Sequence, residues 1–228
     1  MIKHGIDQDA LIAQFTQATA KQGEAIRKAV SQETLKALQG RELTLTNIKQ
    51  VLNTVAKAAS TGAASSPLGA TDVEALLAKA FAGMDAALEK AVQANRQALQ
   101  QLLDQGASLR ETHVRKALTD IEKMEDALFS AVNKAAAKAG EPMEGPWAGV
   151  LKAMHGNGTS TGAQAHATIA QLTASAQQGL RDGRALGLSV SQALLDGYSM
   201  LVSGVLIGMS DALQQGAKPP APTSSRKK

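Results

Sequence analysis

The chain has 228 residues, long enough to bury a sizeable core as one large domain or two small ones. Only 2% of the residues are aromatic, alanine is abundant and strand patterning is nearly absent, which excludes a compact aromatic-rich core and suits long helices in close contact. The net charge of +4 comes from Lys218, Arg226, Lys227 and Lys228, leaving 20 Lys and Arg against 20 Asp and Glu, so the body is neutral and nucleic acid is not an expected partner.

The first helix should start near Asp7 or Asp9, either of which can cap free amides. Its apolar side is Leu11, Phe15, Ala18, Ile26, Ala29 and Val30, and Gly40 reads as its stop. A second helix, capped by Thr44 or Thr46, carries Ile48, Val51, Leu52, Val55 and Ala59 on one face. Together they form an N-terminal helical pair over 1–59. STGAASSPLGA, residues 60–70, has the composition of a linker.

The dominant signal runs over 71–139. Thr71 and Glu74 fit a capping box, and Val73, Leu77, Ala80, Met84, Leu88, Ala91, Asn95, Ala98 and Leu102 then recur at spacings of four and three. After Gly106 the pattern resumes with Val114, Leu118, Ile121, Leu128, Val132 and Ala135. Gly106 followed by Ser108 and Glu111 is a stop followed by a start, which predicts an antiparallel hairpin about 50 Å long rather than one helix about 100 Å long. Asn95 falls in line with the stripe. A place at the stripe's edge is favoured over a register-setting place in a coiled-coil seam.

Residues 140–162 read as a hinge, because Pro142 and Pro146 in GEPMEGPW cannot continue a helix. A short helix from Trp147 to Met154 follows, with Trp147 as a packing anchor, and HGNGTSTG, residues 155–162, breaks the chain again. The block 163–217 has Gly179, Gly183 and Gly187, then Gly204, Gly208, Ala212 and Gly216, at four-residue spacing. That pattern leaves a groove that another backbone can approach. Residues 218–228, KPPAPTSSRKK, form a disordered basic tail.

No catalytic constellation emerges. His4, His113, His155 and His166 are scattered, and Glu122, Glu125 and Asp126 sit beside Arg115, Lys116 and Lys123 as a solvated charged face. With no cysteine either, neither an enzyme nor a metal or cofactor site is expected. The most apolar stretch, GYSMLVSGVLIGMS, has 14 residues against about 20 for a membrane span. The N-terminus MIKHGIDQDALIAQ lacks a signal-peptide core, so a cytoplasmic protein is expected.

The expected fold is all-α, an elongated bundle of long amphipathic helices around the central hairpin. Leu77, Met84, Leu88, Leu102, Leu118, Ile121, Leu128, Trp147, Gly204, Gly208 and Ala212 are the candidates for helix packing or surface binding.

The pattern over 71–139, the near absence of aromatics and cysteines, and the Lys/Pro/Ala tail resemble the phasins, Ala-rich helical proteins that coat polyhydroxyalkanoate granules in bacterial cytoplasm. The resemblance implies a non-enzymatic, surface-active protein whose weakly apolar faces adsorb reversibly to a hydrophobic granule. A neutral polymer or storage-lipid surface fits the neutral body better than an anionic membrane. The alternative is a homo-oligomeric helical scaffold or protein-interaction module, packed through Gly204, Gly208 and Ala212.

Overall fold

The computed structural model describes residues 6–39, 43–104, 112–181 and 198–215, and among these there are helices and turns but no strand. The helices are α1 (Gln8–Gln17), α2 (Gly23–Gln39), α3 (Leu45–Ala64), α4 (Ala70–Asp104) and α5 (Thr112–Glu122). They continue with α6 (Met124–Ala139), α7 (Glu141–Asn157), α8 (Ser160–Arg181) and α9 (Tyr198–Gln215). The protein is all-α.

The bundle is built around α4, whose 35 residues extend about 52 Å. Helices α2, α8, α9, α7 and α3 all pack on it, with α2 making the most extensive contact. The stripe of α4 is consequently wider than its periodicity indicated, because Leu76, Phe81, Ala87, Val92, Ala94 and Leu99 are buried alongside it. Alanine allows this: a side chain of one carbon lets neighbouring helices close in on several sides at once. Gly83 extends the same logic, since a Cβ there would lie 2.6 Å from the Arg27 carbonyl oxygen and 2.9 Å from the Val30 Cβ on α2.

The N-terminal pair differs from expectation in one respect. The first helix is broken at Ala18 and Thr19, both extended, and Thr19 and Gln22 form a reciprocal capping box that opens a short 3-10 turn leading into α2. Asp7 caps α1 by accepting from the Ala10 amide at 3.0 Å, and Thr44 caps α3 by accepting from the Asn47 amide at 3.3 Å. Gly40 lies outside the described residues.

The linker over 60–70 is mostly helix. α3 runs through Ser60 to Ala64, and only residues 65–69 connect it to α4. Small residues serve packing here, not flexibility: a Cβ on Gly62 would fall 2.5 Å from the Phe15 Cβ and 2.7 Å from the Ile12 carbonyl oxygen, so α1 crosses α3 nearly backbone to backbone. Helix α4 starts at Ala70, with the Gly69 carbonyl accepting from Val73, so Thr71 lies within the first turn and is not the cap.

Gly106, Ser108 and Glu111 lie outside the described residues, yet the fold-back around them is fixed by flanking contacts. The Phe81 and Phe129 ring centroids are 5.6 Å apart, whereas one uninterrupted helix would separate these residues by roughly 70 Å. The two arms do not pair mainly with one another. Helix α6 packs most extensively on α3, and α8 lies along α4.

The hinge is also shorter than expected. Helix α7 begins at Glu141, with Pro142 in the first turn, where a missing amide costs little, and Pro146 is tolerated inside the helix. It continues to Asn157, so the second break reduces to Gly158 and Thr159, with Gly158 at φ +73°, a conformation that favours glycine.

Candidate interaction surface

Helix α8 shows how firmly most elements are tied to the bundle. Buried Asp85, from the middle of α4, accepts from the Ser160 amide at 2.8 Å and the Thr161 amide at 2.9 Å. A carboxylate thus satisfies two free donors at a helix start, from a different helix. The Thr161 hydroxyl donates to the Asp85 backbone carbonyl at 3.0 Å. Thr159 caps the same end, accepting from the Gly162 amide at 2.9 Å while its hydroxyl donates to Glu125 at 2.5 Å. Glu125 is therefore a structural partner of α8 and not simply part of a solvated charged face.

Trp147 is fully buried, and its indole N–H donates to the Ser60 Oγ at 2.9 Å. That hydroxyl in turn donates to the Ala56 carbonyl at 2.8 Å. The anchor joins α7 to α3 and leaves no indole at the surface.

Helix α9 is different. It is the most apolar of the described helices, yet it packs chiefly on α4 with a smaller contact to α2. Val202 and Leu206 are buried, Tyr198, Leu201, Val205 and Met209 are half-buried, and Gly204, Ile207 and Gly208 face outward. Ile207 is 44% exposed, the one large apolar side chain among the described residues that is largely open to solvent. A Cβ on Gly204 or Gly208 would meet nothing within 4 Å. The small residues thus form an open face with no neighbour among the described residues.

The inner face of α9 is held by two polar contacts. The Tyr198 hydroxyl donates to the Asn95 Oδ1 at 2.7 Å, and the Asn95 amide donates to the Ala91 carbonyl at 2.8 Å. Asn95 is buried, not at the edge of the stripe, because the lone tyrosine supplies the partner that makes its burial affordable. Desolvation raises the Tyr198 pKa above its ordinary value, and the Asp120 carboxylate adds to the effect. The Gln39 side-chain amide donates to the Leu206 carbonyl at 3.3 Å, the second tie.

The predicted residues therefore separate into two sets. Leu77, Met84, Leu88, Leu102, Ile121, Leu128 and Trp147 are buried and Leu118 is half-buried, so the central stripe is core and offers no adsorbing face in this conformation. Gly204 and Gly208 lie together on the outer face of α9; Ala212 is on the same helix, with its side chain outside the described ones. Sequence reasoning missed Asp85, Ser60 and the pairing of Asn95 with Tyr198. Asn95 carried a signal, as a polar residue in an apolar register, and Tyr198 is the only tyrosine; nothing local marked Asp85.

Among the described residues no three His, Asp or Glu side chains gather as a metal site requires, and no helix is long and apolar enough to cross a membrane. The chain belongs to a family of unknown function (DUF6781), whose model matches residues 1–215. No curated protein and no solved structure matches the chain.

Proposed function

We propose that this member of a family of unknown function is a non-enzymatic, phasin-like surface-active protein that adsorbs to a hydrophobic storage granule or neutral lipid surface through the outer face of α9. The observation that carries the reading is the outward Ile207 on the most apolar described helix, flanked by two open glycines. The segment Tyr198–Met209 contains no charged residue, which suits an uncharged polymer better than an anionic bilayer. Covering the 44% of Ile207 that is still exposed would contribute about 1 kcal/mol, consistent with reversible adsorption. The long stripe of α4 serves as the scaffold that displays this helix.

Co-sedimentation with washed polyhydroxyalkanoate granules, against neutral and anionic liposomes at matched salt, tests the proposal. Saturable binding to granules, lost in Ile207→Asp without loss of helicity, is the expected result. Binding equal in that variant, or none at all, overturns it.

The openness of Gly204 and Gly208 favours a second reading, in which the same face packs against another copy of the chain in a homo-oligomeric scaffold. Gly208→Leu separates the two. It adds apolar area and should preserve granule binding, whereas it blocks close helix approach and should abolish self-association measured by light scattering.

A further inference from the structure

The junction of α1, α3 and α6 forms a half-open cleft of about 260 Å³. It is lined by the exposed Lys57 of α3, the exposed Lys134 and Lys138 of α6 and Gln8, the first residue of α1, with half-buried Asn53 and Thr54 on the α3 side. Buried Ala135 contributes to the apolar base. Among the described residues no carboxylate lines the cleft, and none of its lysines takes part in an ion pair.

The arrangement is biased toward one kind of ligand. Three ammonium groups supply three positive charges, and the Asn53 and Gln8 amides add neutral donors. The Thr54 hydroxyl is committed to the Gln50 carbonyl at 2.9 Å and donates nothing inward. Lys138 stands in the last turn of α6, where the helix dipole favours a cation. That explanation does not reach Lys57, which projects from the body of α3. Nor do helix neighbours neutralise it: Asn53, Thr54, Ser60 and Thr61 occupy the positions three and four residues away. A cleft whose charged lining is of one sign concentrates counter-charge, and lysine is an established point-charge partner for phosphate.

We propose that this cleft binds a phosphate dianion, carried free or on a small phosphate ester. Phosphate brings a charge of about −1.5 to −2 at pH 7 and several acceptor oxygens, matching a set made of cations and donors. At about 260 Å³ the cleft is smaller than the roughly 300 Å³ at which pockets for drug-sized ligands begin, which suits a small ligand. This site does not depend on the proposed role of α9 and lies on other helices.

The test is a titration of the full chain with inorganic phosphate, followed by phosphorus NMR line broadening and calorimetry, with chloride adjusted to constant ionic strength. Saturable one-to-one binding is expected, weakened at least tenfold in K57Q/K134Q/K138Q and unchanged in K28Q/K123Q/K152Q, which removes three exposed lysines elsewhere. Asn53→Glu, placing a carboxylate among the ammonium groups, should weaken it similarly and serves as an independent variant should the triple one misfold. Glycerol phosphate and phosphatidic acid vesicles distinguish the source: cleft-dependent binding of the soluble ester identifies a small metabolite, and cleft-dependent binding of vesicles alone identifies a lipid headgroup. Absence of saturable binding to every probe, or equal weakening in both lysine triples, overturns the proposal.

Discussion

Helices α4 and α9 invert the usual link between apolarity and burial. α4 is alanine-rich and only modestly apolar, yet it is enclosed by other helices along most of its length; α9 is the most apolar described helix and remains open on one side. Side-chain volume explains the difference. Small residues on α4 let several helices reach its backbone, as at Gly83, whereas those on α9 create an equivalent surface that nothing among the described residues fills. A small-residue face marks a place where close packing is possible, and the surrounding elements decide whether it occurs.

The largest expected effect lies at the filled face. Gly83→Leu should destabilise the protein by about 3 kcal/mol or more in urea unfolding, because the new side chain meets the Arg27 carbonyl and a backbone oxygen cannot step aside. Wild-type stability in this variant would mean that α2 and α4 are not closely apposed. Next comes Asp85→Ala, which strands the Ser160 and Thr161 amides; a loss of about 1–3 kcal/mol is expected, with faster hydrogen exchange concentrated at the start of α8.

The inner face of α9 should be more lightly held. Tyr198→Phe removes the tie to Asn95 and should cost about 1 kcal/mol, read as faster exchange in α9 with α4 little changed. The same residue gives a pH test. Its folded pKa is raised above the ordinary tyrosine value of about 10, so its contribution is complete below about pH 10 and fades as pH rises beyond that value. Alkaline loss of α9 protection should therefore be present in wild type and reduced in Tyr198→Phe. The smallest effect belongs to the open face, where Gly208→Ala meets no neighbour and should stabilise α9 by up to about 1 kcal/mol through helix propensity. Destabilisation there would show that the face is already covered.

Where the reading of the sequence departed from the structure, the same physics was responsible. Composition made 60–70 a linker, but Ser60 receives the Trp147 N–H and Gly62 admits α1, both contacts with distant parts of the chain. Pro142 and Pro146 made 140–147 a hinge, but Pro142 stands in the first turn of α7, where a missing amide costs little, and Pro146 is accommodated inside the same helix. The break at Thr19 was legible through its glutamine three residues later, and was masked by the apolar register running across it.

The sequence by itself determined that the protein is all-α, that Leu77, Leu88 and Ile121 lie on apolar helical stripes, and that the first helices open on capping residues, Asp7 or Asp9 and Thr44 or Thr46, of which the structure uses Asp7 and Thr44. These follow from helical periodicity and short-range hydrogen bonding, which act within a few residues. Tertiary structure alone decided that Asn95 is buried, that Asp85 holds the start of α8, and that Gly83 is covered while Gly208 is open. Each depends on a partner dozens of residues away, and no local pattern specifies which helix will arrive at a given face.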